Sequence, residues 1–251
     1  MKLNQRHSPL LLKAGEETTY PVRGSNAVEE VLSAYARGIR NFSGSEIYWE
    51  SLYQAELQGI IFSNSKLIVD LRETKLMGAD FSNCDLNHSE FIWADLSQSN
   101  LSGSDLTRVN FIEADLRGAN LKDACLKNAC LNGAHLGEAN LEGANLEGIN
   151  AFYAWFCEGI YRDACFAGAT LQNVTFDDSD CRGVDFSGAD LTGAEFQDTN
   201  LKGANFTNTQ LKDACFDRAD LVDADLTGAN VQDAKLLDVR MVSSEPEFEC
   251  I

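Results

Sequence analysis

The sequence predicts an all-β solenoid, a chain that coils around one long axis, on the basis of two observations. First, 35 positions spaced five residues apart, from Leu71 to Met241, hold 20 Leu and 10 Phe. Second, the position two residues before each of these centres is Ala at 20 of the 35 places and is never charged. A strand repeats every two residues and a helix about every 3.6, so neither keeps every fifth residue buried. A chain that turns a corner every five residues does keep every fifth residue buried.

The expected corner of the coil lies two residues after each centre. Gly, Asn or Asp often stands there, and these residues tolerate the positive φ that the third position of a type II turn requires. Larger residues at this position would be strained, so we expect another turn type at four corners. These four are Trp93, Arg108, Glu113 and Arg218.

The number of sides follows from the aromatic centres. Between Phe156 and Phe216, Phe occupies every tenth position. A period of two units requires an even number of sides, and four is the smallest even number that encloses a core. We therefore predict a four-sided coil of 20 residues, in which like side chains such as Asn100, Asn120 and Asn140 stack in columns.

Several units have one consensus, for example Ala79–Asn83, Ala94–Gln98, Ala119–Asp123 and Ala189–Gly193. They resemble the pentapeptide-repeat family, A(D/N)LXX, and the similarity extends over about residues 42–241. It implies a right-handed, four-sided parallel β-helix. It implies little about biochemistry, because most members have no established activity and function depends on sites placed on the fold.

The chain divides into four parts. Residues 1–24 are expected to form a flexible N-terminal extension, because their Pro and Gly break any period. Residues 25–41 are predicted to contain a helix that caps the first coil, with Asn26 as N-cap and Gly38 as its end. Its apolar face is expected to consist of Val28, Val31, Leu32, Tyr35 and Ala36. A helix that docks a partner is the alternative.

The repeats span 42–241, and residues 242–251 form an acidic tail. Leu67 and Leu71 are only four residues apart, so we expect a register slip near 67–71. The tail is a weak cap, and an open C-terminal edge favours a homodimer formed through this end.

Nothing in the sequence points to catalysis. His7, His88 and His135 are far apart, no phosphate-binding glycine loop is present, and the repeat itself accounts for most Asp residues. We therefore expect no enzyme, no cofactor and no metal site. The eight Cys residues follow the repeat rather than a CxxC pattern, which is typical of reduced thiols in a cytoplasmic protein.

The net charge of −19 argues against direct binding of nucleic acid or of an anionic membrane. One region is notably acidic and forms a candidate surface: Asp177, Asp178, Asp180, Asp185, Asp190, Glu195 and Asp198. The quinolone-resistance branch of the family implies an alternative function, a DNA mimic that occupies the DNA groove of a type II topoisomerase such as gyrase. This chain differs from that branch because it lacks an inserted loop and an evident dimer-forming helix.

A second candidate surface is apolar. In a four-sided coil the residues just after centres 91, 111, 131 and 151 share one wall, with Trp155 just around the next corner, and aromatic residues recur among them. We name the following set the aromatic patch: Ile92, Trp93, Ile112, Phe152, Tyr153 and Trp155. Alternatively, Phe152 turns inward because Ala151 is small for a centre. The sequence thus predicts a non-catalytic binding or scaffold module for a protein partner.

Overall fold

The computed structural model describes residues 19–241. It contains one helix, α1 (Ala27–Ala36), and two strands, β1 (Glu46–Ser51) and β2 (Lys66–Asp70), which pair in parallel. Beyond β2 the coils are joined by single parallel bridges between residues 20 positions apart, from Asp70–Glu90 to Asp220–Arg240. The described chain is therefore a parallel β-helix whose coil takes 20 residues.

One repeat, residues 120–124, shows where the five backbone N–H groups of a unit go. Leu121 and Asp123 donate to the next coil, to the carbonyls of Asn140 (2.7 Å) and Glu142 (3.0 Å). The remaining three bonds are Asn120 to the Ser99 carbonyl of the preceding coil (2.9 Å), Ala124 to the Leu121 carbonyl across the turn (3.0 Å), and Lys122 to Asn120 Oδ1 (3.2 Å). Every donor is satisfied, as a buried backbone requires.

These hydrogen bonds explain why Asp or Asn precedes 20 of the 35 centres. Its side-chain oxygen accepts the one N–H group that neither the neighbouring coils nor the turn can satisfy. Glu195 stands at this place in a later unit, and there Asp177 of the preceding coil accepts the N–H of Gln197 instead (2.8 Å). The consensus is therefore a requirement of the backbone as much as of the surface.

The centres form a continuous core along the axis. Phe rings twenty residues apart stack face to face, with centroids 4.7 Å apart for Phe156 and Phe176 and 5.2 Å for Phe176 and Phe196. Rings ten residues apart meet edge to face, as Phe176 and Phe186 do at 75°. Both arrangements are favourable for aromatic rings. Outside, Asn120 Nδ2 donates to Asn100 Oδ1 (3.2 Å), a bond that links like residues in one column.

The expectation of another turn type at Trp93, Arg108, Glu113 and Arg218 is wrong. All four have positive φ (57°, 57°, 56° and 61°), like every other corner from Glu73 to Asp238. The inter-coil ladder imposes this conformation, because each corner N–H must reach a carbonyl of the next coil, as Trp93 reaches Ile112 (3.0 Å). A left-handed residue with a side chain costs about 1–2 kcal/mol, which the neighbouring hydrogen bonds offset.

Helix α1 differs in detail from the sequence-based expectation. The Asn26 side chain makes no capping hydrogen bond, and Glu50 Oε2 instead accepts the N–H of Val28 (3.1 Å). The buried residues are Ala27, Val31 and Ala34, whereas Leu32 is 41% exposed. The spacing of these buried residues defines one narrow stripe, and Leu32 lies outside it.

The strict register changes between β1 and β2. Glu46 pairs with Lys66, 20 residues on, whereas Ser51 pairs with Asp70, 19 residues on, with the irregularity between Tyr48 and Glu50. Residues 67–71 alternate between buried and partly exposed, as a strand without a corner does. The corner residue present in the other units is absent here, and the chain runs straight through the place where it would stand.

Gly159 and Tyr161 form a matched pair in the core. Tyr161 occupies a centre, is fully buried, and donates its hydroxyl to the Phe156 carbonyl (2.8 Å). Burial raises the pKa of this phenol well above its usual value. A Cβ atom at Gly159 would lie 2.2 Å from Tyr161 Oη, so the hydroxyl fills the space that an Ala side chain takes in most units.

We predict that Gly159→Ala destabilises the protein by about 2–3 kcal/mol, because the core would be overpacked. Combining it with Tyr161→Leu restores the common Ala-x-Leu unit and should recover most of the lost stability. Thermal unfolding of the single and double variants measures this coupling. Gly137→Ala is the matched control, because its Cβ would meet no atom closer than 3.8 Å. Independent, additive effects of the two substitutions would contradict the pairing.

Candidate functional site

The aromatic patch lies along one corner of the coil. Trp93 is 61% and Tyr153 55% exposed, whereas Ile92, Ile112 and Phe152 are half-buried beside them. Backbone hydrogen bonds join these corners coil by coil, from Trp93 to Ile112 (3.0 Å) and so on along the column. At a strand spacing of about 4.8 Å, Trp93 and Tyr153 are about 14 Å apart along the axis. The corner thus presents two exposed aromatic rings in one line.

Phe152 does not enter the core. It is half-buried on the outside, and its ring meets that of Tyr153 edge to face with centroids 4.2 Å apart. Its N–H donates to Asn132 Oδ1 in the preceding coil (2.9 Å). Ala151 keeps the core position, so Phe152 and Tyr153 form a joint aromatic surface.

Trp155 extends the aromatic surface onto the adjacent wall. It is 55% exposed, and its ring packs against His135 of the preceding coil with centroids 4.9 Å apart. His135 in turn pairs through its backbone with Asp115. The sequence analysis did not foresee this contact, although the 20-residue coil places His135 and Trp155 in one column.

The structure distributes the acidic candidates around the solenoid. Asp180, Asp185, Asp190 and Glu195 precede four successive centres, so they lie in four different columns. Asp177, Asp178 and Asp198 share one corner instead. Two of the seven are paired: Arg182 holds Asp180 (2.7 Å) and Arg218 holds Asp198 (2.6 Å), and each Arg lowers the pKa of its Asp. The acidic set is a belt rather than a single face.

A cleft of about 350 Å³, which the sequence analysis missed, lies at the register change. Its lining includes Trp49, Ile68, Asp70, His88 and Glu90. Trp49 is 82% exposed, more than any other large apolar residue in the described chain, and has a φ of 61°. The four-residue spacing from Leu67 to Leu71 is the signal that could have located this cleft.

Two of the thiols, those of Cys84 and Cys181, are poorly suited to nucleophilic chemistry. The seven described Cys residues are free, and burial raises the pKa of Cys84 to about 12 and that of Cys181 well above its usual value. Within residues 19–241 no group of His, Cys, Asp and Glu is arranged to hold a metal ion. In the same range no helix has the length and apolar character needed to span a membrane.

The last described coil exposes its centres. Val231, Leu236 and Met241 are all exposed, unlike the fully buried centres of earlier coils, and Leu237 beside them is exposed as well. Earlier centres donate their N–H groups to the next coil, as Leu221 does to Arg240 (2.7 Å). This end of the described chain therefore exposes an apolar surface.

Comparison with protein families gives two matches. The model described as "Pentapeptide repeats (8 copies)" matches residues 69–103, 94–133 and 129–154, and the model described as "Pentapeptide repeat region" matches residues 156–226. Together they account for more than half of the chain. A search of curated proteins gives no match.

The solved structures that are similar to this chain include the following three. HetL, a pentapeptide repeat protein involved in heterocyst differentiation regulation from the cyanobacterium Nostoc sp. strain PCC 7120, is 31% identical; the match covers 86% of this chain and 98% of HetL, with a TM-score of 0.38. QnrB1, a plasmid-mediated fluoroquinolone resistance protein, is 20% identical over 76% of this chain and 90% of QnrB1, with a TM-score of 0.55. Rfr23 from the cyanobacterium Cyanothece 51142 is 27% identical over 43% and 59% of the two chains, with a TM-score of 0.26. The similarity to QnrB1 concerns the fold alone.

Proposed function

Since the chain belongs to the pentapeptide-repeat family, we propose that it is a non-catalytic module that binds a protein partner through the aromatic patch. The observation that supports this function is the pair of exposed rings, Trp93 and Tyr153, in one corner column of the solenoid. Exposed aromatic residues at such a site are typical of interaction hot spots. We further propose that it works in the cytoplasm, in keeping with its free Cys residues.

We infer that the coil is right-handed and four-sided and that α1 caps its first turn. Bridges between residues 20 apart together with a positive-φ corner every five residues support four sides. The cap is supported by the burial of Ala27, Val31 and Ala34 against the first coil. In a four-sided solenoid the aromatic patch lies on a rigid corner, so the binding surface is preorganised.

The patch is tested with Trp93→Ala combined with Tyr153→Ala. We expect immobilised protein to retain its partner from a lysate of its own source cells, and the double variant to retain at least about tenfold less, because hot-spot residues each contribute about 2 kcal/mol or more. Met77→Ala, an exposed apolar residue on another corner, is the control. The unfolding temperature should stay unchanged in both. Equal retention by the wild type and the double variant would remove the patch from consideration.

The alternative function is a DNA mimic that occupies the DNA groove of a type II topoisomerase. The acidic belt and the fold shared with QnrB1 favour it. If it is correct, the purified protein inhibits supercoiling by gyrase at low salt and loses this effect as salt rises, because the attraction is electrostatic. Asp185→Asn combined with Asp190→Asn should weaken inhibition, whereas the patch variant should not. Unimpeded supercoiling at a large excess of protein would exclude this function.

We also propose that two copies associate through the C-terminal end. The exposed centres Val231, Leu236 and Met241 of the last described coil support this arrangement. Light scattering should give a dimer for the wild type and a monomer for Leu236→Glu, because a carboxylate would be buried in the contact. Leu32→Glu, on the exposed side of α1, is the control. A wild type that stays monomeric at high concentration would contradict the proposal.

A further inference from the structure

The cleft at the register change is a notch in one corner column of the solenoid. In this column Trp49 and His88 occupy corners with positive φ, but the coil between them has no corner residue. The two residues are thus separated by two coil spacings, about 10 Å along the axis. The floor is formed by Ile68 and Val69 of the straight strand β2.

The charge of the notch is negative. Its lining includes the carboxylates of Glu50, Asp70 and Glu90 and contains no Lys or Arg. Arg72 lies outside the lining and binds Asp70 (2.8 Å), which lowers the pKa of that carboxyl to about 2. Glu90 accepts one hydrogen bond, from Asn110 Nδ2 (2.9 Å), and has no salt bridge among the described residues. Arg72 is close enough to Glu90 for their charges to interact, but its guanidinium is bound to Asp70. Glu90 can therefore still accept hydrogen bonds from a further cation.

Trp49 gives the notch its selectivity. Its side chain is almost fully exposed although it stands beside apolar residues of β2. An indole face attracts cations, and a guanidinium group can stack on it while donating hydrogen bonds to a carboxylate at its edge. The described residues offer no metal-binding arrangement, so an organic cation is the better match. Phosphate-bearing ligands would be repelled, because Arg72 offsets the charge of only one of the three carboxylates, Asp70.

We propose that this notch binds an arginine side chain presented by a peptide segment of a partner protein, with Trp49 against the guanidinium plane and Glu90 as its carboxylate acceptor. The site is separate from the aromatic patch: Trp93 stands one corner further along the coil. It therefore does not depend on the patch being an interface. It would select partners by one basic side chain rather than by overall charge.

The experiment uses the full-length ¹⁵N-labelled protein and the peptide acetyl-Gly-Arg-Gly-amide. We expect titration to shift the Trp49 indole signal and the Ile68 amide signal while the indole signals of Trp93 and Trp155 stay in place. The matched probe is the citrulline peptide, which has nearly the same shape without the charge and should not bind. Indole signals are assigned with single Trp→Phe variants.

Two variants test the contacts. Glu90→Gln should raise the dissociation constant about fivefold, the effect of losing one charge-assisted hydrogen bond, whereas Glu138→Gln, the same change on a distant corner, should not. Trp49→Leu should weaken binding, measured by the shift of the Ile68 amide signal. This variant should fold normally, because the Trp49 side chain is exposed. Equal binding of the citrulline peptide, or shifts spread over the acidic surface and insensitive to Glu90→Gln, would overturn the proposal.

Discussion

The hydrogen-bond ladder between successive coils is the constraint on which the rest of this structure depends. Each unit donates to the coil after it and to the coil before it, and closes its own turn with a third bond. The geometry of one coil is therefore imposed by its neighbours rather than chosen by its own sequence. This is why Trp93 and Arg108 adopt the same left-handed corner as glycine. The backbone hydrogen bonds between coils thus override the φ preference of the individual corner residue.

The five-residue period was sufficient to predict the core. It identified the buried centres and the small residues beside them, because a fixed period leaves one arrangement in which all of them face inward. The sequence did not reveal the details that depend on contacts between different parts of the fold. The N–H of Val28 is bound by Glu50 of β1 rather than by the adjacent Asn26. The Tyr161 hydroxyl bonds a backbone carbonyl five residues away, which makes a small Gly159 necessary.

Of the candidate sites, one follows from the repeat period and the other depends on contacts between coils. A 20-residue coil assigns Trp93 and Tyr153 to one corner from their numbers alone, so their alignment was predictable. The notch was not, because it arises from three coils at once: an exposed Trp49, a missing corner, and His88 beyond it. The spacing of Leu67 and Leu71 signalled that a residue was absent. It did not indicate which side chains would surround the gap, since that depends on how β1 and β2 re-register.

These features suggest how a repetitive surface can be selective. The net charge of −19 attracts any basic molecule from a distance and is screened by salt, so it cannot distinguish partners by itself. Discrimination has to come from positions where the period is broken or where a bulky residue replaces a polar one. Trp49 beside the missing corner and the rings of Trp93 and Tyr153 meet this condition. The regular coils then serve to hold such exceptions at fixed distances, which reduces the ordering cost of binding.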